Sequence, residues 1–283
     1  MNLTDYNEIR GLLSRHGFRF SKSLGQNFLT AAWVPERIAE EAGLDEQTGV
    51  VEVGPGIGCL TAELARRAGK VAAIELDKAL LPVLRETLAD FDNVTVIPGD
   101  ATKLDLRALV EEKLPGLRPV VCANLPYNVT TPLLTALIEA GCFETITVMI
   151  QREVARRICA GPGSADYGAF GLFVQWHCET EPLFDVPPGC FVPQPKVTSS
   201  VVRLTRREKP PVPVRDEALL FKIIRAAFNQ RRKTLVNALS SALGTDKAEL
   251  ERALENCGLD PRIRGEALDI RSFAALCDEI LTG

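Results

Sequence analysis

Hydrophobic residues fall into short apolar runs over the first half of the chain and into a purely helical period near its end. Gly49–Val53, Lys70–Glu75, Val94–Pro98, Pro119–Ala123 and Thr145–Ile150 are compact apolar runs bounded by turn residues. Runs of this length with little alternation predict strands buried on both faces, as in a parallel sheet. Between them, one helical segment runs from a glycine turn to about Ala68, and others cover Lys78–Ala89, Leu104–Glu112 and Thr131–Glu139. Alternating strands and helices with short connections predict an α/β fold with a mostly parallel, doubly wound sheet. Ahead of it, residues 1–22 read as a basic, partly helical lead-in and Ser21–Leu29 as a polar loop with apolar anchors. Pro35–Ala42 reads as a short helix, with Pro at its start and Gly43 past its end.

Beyond the fifth run the pattern loosens. Arg152–Ala160 reads as helix, Tyr167–His177 fits helix and strand equally, and Thr198–Leu204 reads as an edge strand. Phe191–Lys196 is a loop stiffened by Pro193 and Pro195. Lys209, Pro210, Pro211 and Pro213 mark Arg206–Pro213 as a linker. After it only helical spacing remains, over Asp216–Phe228, Arg231–Leu243, Lys247–Cys257 and Ser272–Leu281. Two domains are expected: 1–205, built on the sheet, and 206–283, small and all-helical.

A hydrophobic content of 46% and a charged content of 25% are those of a soluble globular protein. No apolar run reaches the ~18 residues that a membrane span requires, and the polar start reads as no secretory signal, so a cytoplasmic location is expected. The eight cysteines occur singly with no CxxC pair, and only His16 and His177 are present. Reduced thiols and no metal site are therefore expected. The two histidines read as structural or surface groups, and Trp33 and Trp176 as core. Net charge is -4, yet Lys222–Thr245 holds five basic residues and no acid, and Arg10–Lys22 is likewise basic. That distribution suits a polyanionic partner better than the total does.

Candidate chemistry gathers at the carboxyl ends of the strands, where open α/β sheets bind ligands. Gly54-Pro55-Gly56-Ile57-Gly58 follows the first strand and lets backbone approach a ligand closely. Its G-x-G-x-G spacing differs from the G-x-G-x-x-G of dinucleotide folds. Glu75 ends the second strand, where an acid binds ribose hydroxyls, and Asp100 ends the third, placed to accept from an adenine amine. A nucleoside-type cofactor without a pyrophosphate, such as S-adenosylmethionine, fits this set. The fourth strand opens into Asn124-Leu125-Pro126-Tyr127. There the Asn124 side-chain oxygen and the Leu125 carbonyl can accept the two hydrogens of an exocyclic amine. Pro126 stiffens the turn, and Tyr127 offers a flat face to a base.

Taken together these motifs resemble those of the ribosomal RNA adenine N6-dimethyltransferase family, and within it the small-subunit enzymes. The resemblance runs through Gln26-Asn27-Phe28-Leu29, Glu52–Gly58, Glu75-Leu76-Asp77, Gly99-Asp100-Ala101 and Asn124–Asn128. It continues through Gln151–Ala155, Phe191–Val197 and Phe228–Leu235. It implies a Rossmann-like S-adenosylmethionine-dependent methyltransferase sheet with a small helical C-terminal domain that binds RNA. It also implies dimethylation of two adjacent adenosines in the 3′-terminal hairpin of small-subunit (16S) rRNA, with a role in subunit biogenesis. The partner is then the small ribosomal subunit or its precursor, met by a monomer, and the product is S-adenosylhomocysteine.

By the same resemblance, Asn27, Leu29, Gly54, Glu75, Leu76, Asp100, Ala101 and Asn124 hold the cofactor. Asn124, Leu125, Tyr127 and Phe191 hold the flipped adenine, and Arg231, Arg232, Lys233, Lys196 and Lys22 meet RNA. Two positions depart from the family pattern: Ser164–Phe170 lacks its basic residues, and Gly171 stands where Ser is usual. Other readings are a large-subunit rRNA adenine methylase of resistance type and a non-catalytic assembly or transcription factor on the same fold.

Overall fold

The computed structural model describes residues 1–18 and 25–282. The chain opens with α1 (Tyr6–Arg15), capped by the Asp5 carboxylate, which accepts from the Asn7 and Glu8 N–H groups. There follow β1 (Phe28–Leu29), α2 (Trp33–Glu41), β2 (Thr48–Val53), α3 (Cys59–Ala65), β3 (Lys70–Glu75) and α4 (Leu81–Thr87). Then come β4 (Val94–Pro98), α5 (Leu106–Lys113), β5 (Arg118–Asn124), α6 (Thr130–Glu139), β6 (Thr145–Gln151) and α7 (Arg152–Cys159). The remainder is α8 (Ala169–His177), β7 (Cys178–Val186), β8 (Phe191–Val192), β9 (Ser199–Arg206), α9 (Glu217–Asn229), α10 (Leu235–Leu243), α11 (Lys247–Asn256) and α12 (Ile270–Thr282).

Among the described residues, seven strands form one sheet in the order β4-β3-β2-β5-β6-β9-β7. The pairs β4/β3, β3/β2, β2/β5 and β5/β6 are parallel, and β9 runs antiparallel to β6. The chain steps outward from β2 to β4 and then crosses to the other side of β2, so the topological switch lies between β2 and β5. At such a switch the loops part and leave a crevice at the carboxyl ends. Register aligns those ends: Val53 faces Ile74, Glu75 faces Pro98, and Asn124 faces Met149.

Two compact units result, Met1–Ala155 with Glu181–Arg206, and Arg156–Thr180 with Arg207–Gly283. In the first, Val34 and Ile38 of α2 and Leu60 and Leu64 of α3 pack against sheet residues such as Val50 and Val120, all essentially without solvent contact. In the second, Tyr167 and Trp176 share a core with Ile223, Leu239, Leu254 and Phe273. The Tyr167 hydroxyl donates to the Leu268 carbonyl at 2.9 Å. Residues 156–180, placed with the sheet by sequence, therefore group with the C-terminal helices, and Tyr167–His177 resolves as helix from Ala169.

Three sequence expectations need correction. Thr198–Leu204 is no edge strand: β9 lies inside the sheet, because β7 flanks it. The pattern concealed β7, whose sequence Cys178-Glu-Thr-Glu-Pro-Leu-Phe-Asp-Val186 is polar and largely solvent-facing. Arg231, Arg232 and Lys233 are not helical but form a turn between α9 and α10, closed by Lys233 N–H donating to the Gln230 carbonyl at 2.8 Å. No Gly or Pro marks this break, so the helical period reads straight through it. Trp33 is 40% exposed and leans on Phe184 with ring centroids 6.0 Å apart, whereas Trp176 is core.

Candidate active site

A cavity of about 320 Å³ opens at the carboxyl ends of β2, β3, β4 and β5, within the first unit. Its lining includes Asn27, Leu29, Gly54, Glu75, Leu76, Asp100, Ala101, Asn124, Leu125 and Tyr127, so one pocket collects most of the residues expected from sequence.

The glycine turn shapes one wall. Gly54, Gly56 and Gly58 adopt φ of 70°, 61° and 90°, where an L side chain is strained. A Cβ on Gly56 would also stand 3.2 Å from the Phe28 ring. The turn thus brings bare backbone to the cavity and leaves room for a ligand.

Glu75 is held from both sides. The Asp77 N–H donates to its Oε1 at 2.7 Å and the Gly56 N–H to its Oε2 at 3.3 Å. Burial still dominates and pushes its pKa up to about 7, against these N–H groups and with the Asp77 charge adding to the rise. Asp100 contrasts with it. The Thr102 hydroxyl and N–H donate to Oδ1 at 2.7 and 3.0 Å, and Lys103 approaches Oδ2 at 3.3 Å. Led by the Thr102 hydroxyl, these partners hold its pKa below the ordinary value, so Asp100 is an ionised acceptor. Leu76, 55% exposed, presents apolar surface at the rim.

Asn124 ends β5 with its Nδ2 3.4 Å from the Asn27 carbonyl. With the amide turned this way, Oδ1 is the atom left to accept from a ligand. The Leu125 N–H is spent on the Met149 carbonyl at 3.1 Å, and the Thr130 hydroxyl donates to the Pro126 carbonyl at 3.0 Å. Both bonds fix the turn. The Tyr127 hydroxyl is hydrogen-bonded to Ser199 Oγ, at the buried start of β9, which sets the plane of its ring. Residues 25–29 form part of the cavity lining. Gln26 Nε2 donates to Asp77 Oδ2 at 2.7 Å, and Leu29 pairs with Phe191 across β1 and β8.

Phe191 is not part of this lining. It is 2% exposed and packs in the core with Leu29, Val34 and Ile38. Among the predicted RNA residues, Arg232, Lys233 and Lys196 are exposed, and Lys22 lies outside the described residues. Arg231 is engaged within its own unit, on the Ala165 carbonyl and Glu266 at 3.3 Å each and over the Phe228 ring at 5.8 Å. Gly171 has a packing reason, since a Cβ there would stand 2.3 Å from the Arg157 carbonyl oxygen.

Glu52 stands out among the lining residues that the sequence reading gave no role. Glu52, on β2, is 1% exposed, and its Oε2 has no hydrogen-bond partner. Its signal is a carboxylate in an otherwise apolar strand run. Among the described residues, no cluster of His, Cys, Asp and Glu could hold a metal ion, and no helix is long and apolar enough to cross a membrane.

Residues 17–279 match the family described as ribosomal RNA adenine dimethylase. The chain is 48% identical over 275 residues to the ribosomal RNA small subunit methyltransferase A of Geobacillus thermodenitrificans, covering 95% of this chain and 94% of that protein. It is 46% identical over 285 residues to the protein of the same name from Streptococcus sanguinis, covering 99% and 98%. Among solved structures it is similar to the 23S rRNA methyltransferase ErmE, with a TM-score of 0.67, 27% identity, and coverage of 89% of this chain and 99% of that one.

Proposed function

The chain belongs to the ribosomal RNA adenine dimethylase family, and from that premise we propose that it dimethylates the N6 amine of two adjacent adenosines in the 3′-terminal hairpin of 16S rRNA. The substrate is the small ribosomal subunit or its precursor, met in the cytoplasm by a monomer, and the modification belongs to subunit biogenesis. One observation carries this reading. Asn124, Leu125 and Tyr127 share a single pocket with Glu75 and Asp100, so a base amine and a nucleoside cofactor can meet there.

The residues present fit S-adenosylmethionine. The glycine turn leaves space that a side chain would fill, Glu75 offers a buried acceptor to two ribose hydroxyls, and Asp100 offers an ionised acceptor to an adenine amine. Asn27, Leu29, Gly54, Leu76 and Ala101 line the space between. When bound, S-adenosylmethionine supplies an electrophilic methyl group.

The protein's part is then to aim the amine. Asn124 Oδ1 and the Leu125 carbonyl accept its two hydrogens, which favours a pyramidal nitrogen and turns its lone pair toward the methyl group. Tyr127 holds the extruded base by its face, and stacking of this kind contributes about 1–3 kcal/mol per base. No general base is needed, because alignment and fixed dipoles supply most of the rate and the proton leaves to solvent. Neither histidine lines the cavity, and His16 is bonded to Glu86 on another surface at 2.7 Å. Arg231, Arg232, Lys233, Lys196 and Lys22 are assigned to RNA. Arg232 and Lys233 are favoured among them, since they are exposed and make no ion pair among the described residues.

The names of the relatives at 46–48% identity support the small subunit over the large-subunit substrate of the 27% identical structure. The test is methyl transfer from labelled cofactor to unmethylated small subunits and to large subunits, followed by nucleoside analysis. Dimethyladenosine in small-subunit RNA is expected. Label only in large-subunit RNA, or none in either, would overturn the assignment.

A further inference from the structure

The ring that faces the proposed target base is anchored at both ends. At its backbone end, Tyr127 opens a single turn fixed by the Thr130 hydroxyl, which donates to the Pro126 carbonyl at 3.0 Å. At its far end the phenol oxygen is hydrogen-bonded to Ser199 Oγ, and Ser199 is the first residue of β9 and without solvent contact. Burial pushes the Tyr127 pKa up, against the pull of the Ser199 bond, so the phenol is neutral. Of the two rings expected beside the adenine, Tyr127 alone lines the cavity, since Phe191 lies in the core. The flat face offered to the base is only as well placed as this ring.

A buried pair of hydroxyls adds little stability. Phe and Ala in the same two places would leave no polar atom unpaired and cost almost nothing. Position accounts for the pair better. The Leu125 N–H is bonded to the Met149 carbonyl on β6 at 3.1 Å, and Ser199 pairs in register with Gln151 on the same strand. The turn that carries the amine acceptors and the residue that holds the ring are thus both set against β6, two residues or about 7 Å apart. A phenol O–H lies in the plane of its ring, so a fixed partner at the oxygen holds the tilt of the ring as well as its reach.

We propose that Ser199 is a positioning residue for the base, acting through Tyr127, and that the second methyl transfer to an adenosine depends on it more than the first. The inference rests on the reading of this cavity as the site of adenosine dimethylation. In each transfer the nitrogen forms one N–C bond as the sulfonium S–C bond breaks to a thioether, and one N–H proton passes to solvent. The unmodified amine carries two hydrogens and can use both Asn124 Oδ1 and the Leu125 carbonyl. Once methylated it carries one, and only one of the two acceptors can hold it. Aim of the nitrogen then falls to the plane of the base, which the anchored ring sets.

The test separates position from stability. Unmethylated small subunits are treated at saturating cofactor with the wild type, Ser199→Ala, Tyr127→Phe and the double variant. Monomethyladenosine and dimethyladenosine are followed in time, and the melting temperature of each protein is measured beside them. Each single variant leaves one hydroxyl unpaired and should melt lower, whereas the double variant leaves none and should recover most of the loss. In all three the second transfer should slow more than the first by about 2- to 10-fold, the range of one neutral hydrogen bond, so monomethyladenosine accumulates. The double variant should match the singles in this ratio, because the same bond is lost only once. Tyr127→Phe removes that bond with the ring kept, so the test does not hang on Ser199→Ala folding. A double variant that regained the wild-type product ratio along with its stability would overturn the proposal. So would equal slowing of the two transfers, or no slowing of either. Wild-type protein that formed no dimethyladenosine would instead overturn the reading of the cavity.

Discussion

The cavity and the basic turn handle charge in opposite ways. In the cavity, Glu52 and Glu75 are buried and pushed up toward neutrality, and the Asn124 amide and the Leu125 N–H are each fixed by a backbone carbonyl. At the turn between α9 and α10, Arg232 and Lys233 stand in solvent without ion pairs among the described residues. Buried groups act through position, so losing one atom is costly. Exposed cations act through the sum of their charge, so losing one is cheap and depends on salt. On the proposed reading this separates chemistry from grip.

The largest effect is expected from Asn124→Ala. It removes the one acceptor that the Asn27 carbonyl holds in place, and loss of a preorganised hydrogen bond at a reacting centre typically costs about 100- to 1000-fold in rate. Single-turnover methylation reads this loss, and a fall of less than tenfold would detach Asn124 from the chemistry. Reversing Arg232 and Lys233 to Glu should have a moderate effect on a different quantity. Affinity for small subunits should drop, and the slope of log affinity against log salt should flatten by about one unit for each phosphate left without its cation. An unchanged slope would mean that the turn meets no phosphate.

The smallest effect is on the stability of the ligand-free protein. The folded-state pKa of Glu52, about 8, lies above its ordinary 4.5. The folded state therefore keeps a proton that the unfolded chain has lost, and wild-type stability falls as pH rises from about 5 to about 8. Glu52→Gln lacks this loss. Its melting temperature should gain on the wild type across that window and hold the gain above it. A difference that stays flat with pH would mean that Glu52 is ionised in the folded state.

Much of this was legible in the sequence because β2, β3, β5 and β6 are largely buried on both faces and so appear as apolar runs. The ligand-edge residues were legible for the same reason, since a polar residue closing such a run marks a strand end. Other features left no such mark. β7 is polar and solvent-facing, and β1 and β8 are two residues each, held by pairing with one another. Phe191, set beside the flipped adenine by the family resemblance, pairs with Leu29 and lies in the core. The basic turn lacks the glycine or proline that would announce it. Glu52 was visible as a letter, but its missing partner is a fact of three dimensions.

The separation of chemistry from grip is tested most directly by measuring two quantities side by side, on Asn124→Ala and on the Arg232→Glu, Lys233→Glu double variant. These are single-turnover methylation at saturating small subunits and subunit affinity at fixed salt. Asn124→Ala should lose transfer and bind subunits like the wild type, while the double variant should bind weakly and, once saturated, transfer at the wild-type rate. If both variants moved both quantities together, the two regions would not be separate devices and the account would be wrong.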